Sequence, residues 1–335
     1  GRDDKFIRLL NENARRHPQR IVFTEGDNYR ILKAAEILIS NGVAKPILLG
    51  SKEKMEAIIE EYQLELQEAE FIDIMADRDG RERYATQMYE FRKRRGWTMG
   101  ECRSKIKSRE YYGNMMLRDG GADALISGLT VKYPTALRPI LRIIGMEEGM
   151  RKAAGMYILL SKRGPLFFAD TTINLDPTVE DLVQMVLNVA GTVKRTNIIP
   201  KVALLSYSNF GSSNGPDARK MAKASAILRK EHPELIVDGE MQANFALEPE
   251  LLEESFPFSD LVGHRANVFI FPNLAAGNIT YKMLQSFGAA EAIGPMLIGT
   301  KHSAHVLQLG ASVREIVNMA TLAAVDARNR KVKKA

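Results

Sequence analysis

The chain has 335 residues, a formal net charge of +6 and an apolar fraction of 45%, which is the composition of a folded globular protein. This length exceeds what one hydrophobic core usually serves, so we expect two domains. The sequence has no signal peptide and no apolar run of the roughly 18 residues needed to span a bilayer. Its one cysteine, Cys102, cannot form an internal disulfide. We therefore expect a cytoplasmic protein.

The positive charge is partly clustered, at residues 92–95 and 331–334. Nucleic-acid binding would require a recognised module or interleaved aromatic residues beside these clusters, and we find neither. Each cluster can also be a solvated helix face or a frayed tail. A small ligand rich in phosphate explains the basic balance better than DNA does.

Strand and helix patterns alternate in the first half of the chain. Short apolar segments predict strands at residues 21–23, 46–50, 71–74 and 122–127. Helical spacing or composition predicts helices at residues 31–38, 52–61, 82–95, 99–118 and 134–143. Such alternation is typical of βαβ units, so we expect a parallel sheet.

An antiparallel element enters in the middle of the chain, where two apolar runs at 156–161 and 165–170 are joined by the hairpin signal Lys162-Arg163-Gly164. Parallel-type units then resume. Strands are predicted at residues 201–207, 235–237 and 267–271, and a further apolar segment at 292–298. Helices are predicted at residues 178–193, 217–230, 281–287 and 313–327.

The strongest local signal for function is the segment 206–216, which follows a buried strand and opens a helix. Its glycines and short hydroxyl side chains predict exposed backbone N–H groups, and a helix N-terminus adds positive potential. This combination can cradle a phosphate. The spacing matches neither the P-loop nor the dinucleotide fingerprint, so an ordinary connecting loop is the alternative. The candidate ligand residues are Ser206, Ser208, Asn209, Gly211, Ser212 and Ser213.

A second loop, residues 271–278, also follows a predicted strand and precedes a predicted helix, which adds Asn273 and Asn278 as candidates. Two such loops at the ends of parallel strands predict a ligand crevice at one edge of a sheet. Arg138 follows the loop at Gly128 and can fork onto a phosphate, although it can equally face solvent.

Other catalytic and metal-binding patterns are weak. Only His302 and His305 are close enough to share a metal, and no third ligand stands nearby. No serine or cysteine has a nucleophile signature such as G-x-S-x-G. Asp170, Asp176 and Asp238 end strands or begin turns, so each could be a general base or a capping residue.

The chain resembles the phosphate acetyltransferase family. The matching segments run in order along nearly the whole sequence: residues 20–26, 34–38, 46–50, 122–128, 138–145, 169–170, 174–178, 200–208, 238–242, 268–273, 277–278, 281–282 and 293–295. The resemblance implies a two-lobed, three-layer α/β/α protein with mostly parallel sheets, the isocitrate/isopropylmalate dehydrogenase-like phosphotransacetylase fold. Residues 1–147 and 296–335 would form the first lobe, and residues 148–295 an inserted second lobe.

The family makes acetyl-CoA from acetyl phosphate and CoA in a cleft between the lobes, usually as a homodimer. A base deprotonates the thiol, and arginines hold the phosphate. Carried onto this sequence, the resemblance implies that Arg92 and Arg138 contact phosphate. It adds three further ligand candidates, which are Thr130, Lys282 and Gly294.

The match fails at the expected site of the chemistry. Active members of the family carry a D-L-S-R-G stretch before the last helix, and here Gln308 replaces the serine and Leu309 the arginine. Leucine cannot hold a phosphate or stabilise an oxyanion. Only Glu315 remains at the acidic position beyond. We therefore expect that acetyltransferase catalysis is lost and that the domain has no catalytic residues.

Residues 208–213 and 218–221 are similar to the acetyltransferase-like domain that follows the catalytic domains of large NADP-dependent malic enzymes, which decarboxylate malate oxidatively to pyruvate. This similarity predicts a regulatory domain that binds acetyl-CoA, CoA or a related phosphate ligand as an effector and holds no cofactor of its own. NADP and a divalent metal would belong to an upstream domain, and Gly1 fits a domain cut from a longer chain.

Two other functions stay open. The first is an active phosphate acetyltransferase, and the second is a dimerisation module without a ligand. The expected partners are a small CoA ester or phosphate ligand, a second copy of the chain and an upstream malic enzyme domain in the same chain, and neither nucleic acid nor membrane.

Overall fold

The computed structural model describes residues 5–288 and 291–334. Its strands are β1 (Gln19–Phe23), β2 (Ala44–Leu49), β3 (Glu70–Ile72), β4 (Ala124–Gly128), β5 (Ala154–Ser161), β6 (Gly164–Ala169), β7 (Lys201–Leu205), β8 (Ile236–Met241), β9 (Val268–Ile270), β10 (Glu291–Ile298) and β11 (Ser303–Leu307).

The helices alternate with these strands over most of the chain. They are α1 (Lys5–Arg16), α2 (Tyr29–Ser40), α3 (Lys52–Tyr62), α4 (Arg78–Arg92), α5 (Met99–Lys105), α6 (Arg109–Arg118), α7 (Tyr133–Pro139), α8 (Val179–Arg195), α9 (Pro216–Glu231), α10 (Ala243–Leu247), α11 (Pro249–Ser255), α12 (Leu274–Ser286) and α13 (Val313–Lys334). A 3₁₀ turn (Lys93–Arg95) follows α4, and a π-helical turn (Ile140–Ile144) follows α7. Within the described residues, no helix combines the length and the apolar character that crossing a membrane requires.

The chain divides into two compact units, Gly1–Glu147 with Thr300–Ala335 and Glu148–Gly299. The sequence places the second boundary at 295/296, which falls inside β10. Met296, Leu297 and Ile298 pair with β5, so the ladder joins these three residues to the second unit.

The first unit contains a five-stranded parallel sheet in the order β11-β4-β1-β2-β3. Strand β4 is buried at every position, as expected for a central strand of a parallel sheet covered on both faces. Strand β11 is not predicted from the sequence because Ser303 and His305 interrupt its apolar pattern. Both are buried, and Ser303 Oγ lies 2.8 Å from His305 Nε2 and donates to the carbonyl of Ala323 at 3.1 Å.

The second unit contains a six-stranded mixed sheet in the order β10-β5-β6-β9-β7-β8. Strands β10, β5 and β6 pair antiparallel, whereas β6, β9, β7 and β8 pair parallel. The predicted hairpin is confirmed by the pairing of Ser161 with Gly164. The two sheets together confirm the α/β class with mostly parallel strands.

Two predicted helices differ from the structure because a capping residue was overlooked. The helix predicted at 99–118 is divided into α5 and α6, since Ser108 accepts the N–H of Tyr111 at 3.4 Å and begins a new helix. The helix predicted at 281–287 begins at Leu274, since Asn273 accepts the N–H of Ala276 at 2.9 Å. Part of the second predicted ligand loop is therefore the first turn of α12.

Candidate functional site

The loops after β1 and β4 of the first unit meet at the carboxyl-terminal edge of the sheet. Thr130 donates its N–H to Glu25 Oε2 at 3.2 Å, and its hydroxyl donates to Glu25 Oε1. Burial raises the pKa of Glu25, and the hydrogen bonds from Thr130 offset only part of this effect. Both hydrogen-bond donors of the predicted ligand residue Thr130 are thus bonded to the Glu25 carboxylate. A ligand oxyanion would have to displace this carboxylate to bind them.

Backbone strain is concentrated where β4 ends. Leu129 is buried and has a φ of 125°, in a region that residues with a side chain rarely adopt. It follows Gly128, where a Cβ would lie 2.9 Å from the carbonyl oxygen of Leu307. The carbonyl of Leu129 accepts the N–H of Gly310 at 3.1 Å. The strained turn therefore connects the β4 loop to the segment in which catalysis is expected to be lost.

That segment, residues 308–311, is held in place by its backbone. Arg30 donates from Nη1 to the carbonyl of Ala311 at 3.2 Å. Leu309 is 63% exposed, so its side chain does not contribute to the core. Glu315 is exposed in the first turn of α13, where its N–H donates to Ser312 Oγ at 3.1 Å. An acidic side chain in the first turn stabilises a helix, whether or not a ligand is bound.

An ion pair lies beside Glu25 at the same edge. Arg109 donates to the two carboxylate oxygens of Asp27 at 2.6 and 2.7 Å, and Ser51 donates its N–H to the same carboxylate at 3.2 Å. Burial alone would raise the pKa of Asp27, but the bonds from Arg109 and Ser51 outweigh it and lower the pKa. Asp27 therefore stays ionised and fixes the start of α6 to the β1 loop.

The two predicted phosphate-binding arginines differ in exposure. Arg138 is exposed in the last turn of α7 and forms no hydrogen bond or ion pair within residues 5–288 and 291–334. Arg92 ends α4 and is half-buried, with its Cζ 4.6 Å from the ring centroid of Trp97. Neither guanidinium is neutralised by a carboxylate in the described part of the chain, so both can accept an anion.

The loop after β7 in the second unit is not the open cradle that the sequence predicts. Ser208, Asn209 and Ser213 donate their N–H groups to hydroxyl oxygens within the loop, at 2.9 to 3.1 Å. Ser212 donates its N–H to the carbonyl of Asn209 at 3.0 Å. The assumption of exposed N–H groups is therefore wrong at these positions, because the short hydroxyl side chains bond to the loop itself.

The same loop is tied to β8. Gly211 donates its N–H to Glu240 Oε1 at 3.2 Å, and Asn209 Oδ1 accepts the N–H of Gln242 at 2.8 Å. Ser206 donates its N–H to the carbonyl of Met241 at 2.8 Å. Glu240 is buried, so the loop rests on a carboxylate inside the protein. Its residues hold a fixed backbone shape, and a ligand role for them remains a prediction.

The remaining predicted ligand residues of the second unit lie on α12 and β10. Asn278 donates from Nδ2 to the carbonyl of Thr171 at 3.1 Å, and Asn273 donates from Nδ2 to Asp217 at 3.2 Å. Lys282 is exposed on α12. Gly294 has a φ of 145°, and a Cβ there would lie 3.0 Å from the carbonyl oxygen of Met156. Close packing against β5 already requires this glycine.

Each of the three predicted base candidates already has hydrogen-bond or ion-pair partners. Asp170 accepts the N–H groups of Gly155, Thr172, Ile173 and Asn174 at 2.7 to 3.1 Å. Asp238 accepts from the hydroxyl of Ser259 and the N–H of Asp260, and Asp176 is paired with Lys220 at 2.8 Å. The geometry supports the capping interpretation for Asp170 and Asp238.

The described residues contain no group of three side chains that could hold a metal. A cavity of about 340 Å³ lies at the amino-terminal edge of the first sheet, lined among others by Arg20, Asp123 and Lys331. These charges satisfy one another, because Asp123 accepts from Arg20 at 3.0 Å and from Lys331 at 2.6 Å. We assign no ligand to this cavity, since parallel sheets bind ligands at the opposite edge.

A family model described as phosphate acetyl/butaryl transferase matches residues 5–324. The chain belongs to this family. It is 34% identical to a phosphate acetyltransferase of Clostridium acetobutylicum over 96% of the chain and 98% of that protein. It is 37% identical to an NADP-dependent malic enzyme of Escherichia coli over 96% of the chain, but it spans only 43% of the length of that relative.

Solved structures of the transferase family have the same fold. A phosphotransacetylase from Streptococcus pyogenes superimposes with a TM-score of 0.88 at 30% identity, and the match covers 98% of this chain and 99% of that one. EutD phosphotransacetylase from Staphylococcus aureus gives a TM-score of 0.87 at 29% identity over 96% and 98% of the chains. The phosphotransacetylase fold predicted from the resemblance is confirmed.

Several charged residues at the carboxyl-terminal edge of the first sheet were not predicted from the sequence. Glu25, Asp27 and Arg30 fall between the predicted strand at 21–23 and the predicted helix at 31–38, and Arg109 falls within the predicted helix at 99–118, without a role for any of them. A signal was present, because an acidic pair directly after a buried strand is costly unless it has partners. Pairing between residues as distant as Asp27 and Arg109 cannot be read from one sequence.

Proposed function

We propose that this chain binds a CoA thioester or an acyl phosphate and transfers the acyl group between CoA and phosphate. The observation that carries this proposal is the match to phosphate acetyltransferases over nearly their full length, 98% for the clostridial relative and 94% for one of Bacillus subtilis at 36% identity. In the transfer, the CoA sulfur bonds to the acyl carbon, phosphate leaves, and the thiol proton passes to a base.

Two residues of the first unit suit this reaction. Arg138 is an exposed cation without a partner in the described part of the chain, which supports a role in holding phosphate. Glu25 combines a raised pKa with a place at the carboxyl ends of β1 and β4, which supports a role as proton acceptor. Asp170 and Asp238, by contrast, are already bonded to backbone N–H groups.

A second candidate function is supported by residues 308–309 and by the malic enzyme relatives. Gln308 and Leu309 stand where active transferases carry serine and arginine, and loss of one oxyanion donor costs about 10²–10³ in rate. In this case the chain is a regulatory domain that binds acetyl-CoA or a related CoA or phosphate ligand, and the oxidation of malate belongs to a separate NADP- and metal-dependent domain.

Thioester formation from CoA and acetyl phosphate separates the two candidates. We would compare the wild type with the double variant Gln308→Ser/Leu309→Arg and measure the thermal unfolding of both with acetyl-CoA. Turnover by the wild type supports transfer. Absent turnover together with stabilisation by acetyl-CoA, about 2.7 kcal/mol at 100-fold above Kd, supports regulation. Neither turnover nor stabilisation would contradict both candidates.

A further inference from the structure

Four phenylalanines of the second unit form one aromatic patch at the end of the edge strand β8. The ring centroid of Phe210 lies 5.0 Å from those of Phe256 and Phe258, and the ring of Phe245 lies 5.0 Å from that of Phe256. Phe210 donates its N–H to the carbonyl of Glu240 at 3.0 Å, which fixes the patch to β8. We call Phe210, Phe245, Phe256 and Phe258 the phenylalanine patch.

The core of the second unit uses only part of the phenylalanine patch. Phe258 is 65% exposed, whereas Phe210, Phe245 and Phe256 are partly buried against the core. Phe210 has a φ of 45°, in the left-handed region that residues with a side chain rarely adopt. Contiguous aromatic side chains at a surface are typical of sites that bind another molecule, because the rings supply a large apolar contact area.

The chain around the phenylalanine patch is acidic, although the protein as a whole has a net charge of +6. Residues 233–264 contain eight acidic residues and no lysine or arginine: Glu234, Asp238, Glu240, Glu248, Glu250, Glu253, Glu254 and Asp260. Helix α11 ends directly before Phe256 and carries three of them, all exposed: Glu250, Glu253 and Glu254. None of these three forms an ion pair in the part of the chain that the structure describes. The neighbouring Arg163 donates to the carbonyl of Leu247 at 3.4 Å and not to a carboxylate. Uncompensated negative charge therefore borders the exposed rings.

The charge of this surface decides the kind of partner that fits it. A second copy of the chain in a twofold contact would bring the same carboxylates together, which is unfavourable. Nucleic acid and membrane surfaces rich in anionic lipids are repelled for the same reason. A protein segment with arginine or lysine suits both halves of the surface, because such cations pair with carboxylates and a guanidinium also stacks on aromatic faces.

We propose that the phenylalanine patch is a docking surface for a basic segment of another protein. Its arginine or lysine side chains contact the carboxylates of α11, and its apolar side chains pack on the rings of Phe210, Phe256 and Phe258. Protein interfaces commonly combine an aromatic centre with a polar rim. This docking does not rest on the proposed function, because none of the four phenylalanines is among the residues that hold phosphate or accept the proton.

A synthetic peptide can serve as the probe, because the chemistry of the partner is specified. The full chain would be titrated into a fluorescein-labelled peptide that alternates arginine and leucine, and the anisotropy of the label followed. The reference peptide has glutamate in place of every arginine. We expect saturable binding of the arginine peptide that weakens with added salt, and no binding of the glutamate peptide. The net positive charge of the whole chain opposes this result, so general electrostatic attraction cannot produce it.

Matched variants locate the binding. Phe258→Ala should bind the arginine peptide about tenfold more weakly or worse, because exposed aromatic anchors dominate such interfaces. Glu253→Gln/Glu254→Gln and Glu60→Gln/Glu61→Gln each remove two adjacent, exposed carboxylates from the last turn of a helix, α11 and α3 respectively. The first double variant should also bind about tenfold more weakly, and the second like the wild type.

Three results would overturn the docking surface: equal binding of the two peptides, wild-type affinity in Phe258→Ala, or equal weakening in both double variants. The readout involves neither turnover nor acetyl-CoA. The docking surface can therefore fail while the proposed function stands, and the reverse.

Discussion

The surroundings of Trp97 in the first unit and the 206–216 loop of the second unit differ in how their charged and polar groups are partnered. In the loop, hydroxyl oxygens and the carboxylate of Glu240 accept backbone N–H groups, so donors and acceptors match. Around Trp97, the cations of Arg92, Lys105 and Arg142 lie 4.6 to 5.7 Å from the ring centroid, and none of the three is paired with a carboxylate in the described part of the chain. Glycine and serine therefore determine the shape of the loop, whereas the uncompensated positive charge around Trp97 has no acceptor among the described carboxylates.

The largest effect is expected at Asp170, which organises the second unit. Asp170→Asn replaces a carboxylate that accepts four backbone N–H groups and should lower the free energy of unfolding by about 3 kcal/mol or more. Urea denaturation measures this. Asp176→Asn is the control, because Asp176 is 80% exposed and should cost far less. Similar losses in both variants would remove the organising role of Asp170.

A smaller effect is expected from Asp123. Its charge is paired with two cations, whereas the cations around Trp97 have no such partner in the described part of the chain. Burial would raise the pKa of Asp123, but hydrogen bonds from Arg20 and Lys331 hold it at about 2, below its ordinary value of 3.8. The bonded carboxylate of Asp123 therefore stabilises the fold above about pH 4, and this contribution is lost as the pH falls towards 2. It is worth at most about 2 kcal/mol, since both cations are partly exposed.

Acid denaturation measures the contribution of the Asp123 carboxylate. Asp123→Asn should be less stable than the wild type at pH 7, and the difference should shrink as the pH falls towards 2. A difference that stays constant with pH would show that the substitution acts through packing and not through the charge of Asp123.

A still smaller effect is expected from the hydroxyl of Ser208 in the 206–216 loop. Ser208→Ala removes a buried acceptor for the N–H of Ser213 and should lower the free energy of unfolding by about 1 kcal/mol. Urea denaturation measures this loss, and equal stability of Ser208→Ala and the wild type would show that this hydroxyl does not hold the loop.

The sequence predicted the parts of this protein that repeat locally. Alternating apolar segments gave the parallel units, and Lys162-Arg163-Gly164 gave the hairpin, because both signals depend on neighbouring residues. Strand β11 was missed because the pair Ser303 and His305 satisfies itself inside the core. The start of α12 was missed because Asn273 was interpreted as a ligand residue and not as a helix cap.

The candidate site was less predictable than the fold. Family motifs identified Arg92 and Arg138, but Trp97, Lys105 and Arg142 come from three separate segments and match no motif. Their convergence depends on how α5 and the turns after α4 and α7 pack. The loop at 206–216 was overinterpreted for a related reason, since one sequence cannot show whether hydroxyl groups bond to a ligand or to the loop.

Calorimetric titration with acetyl-CoA tests the central claim most directly, which is that exposed cations of the first unit bind a phosphate-bearing CoA ligand. The wild type should bind acetyl-CoA, Arg138→Gln should bind about tenfold more weakly, and Arg103→Gln, whose cation is paired with Glu82, should bind like the wild type. Absence of binding by the wild type, or equal affinity in all three proteins, would contradict the account.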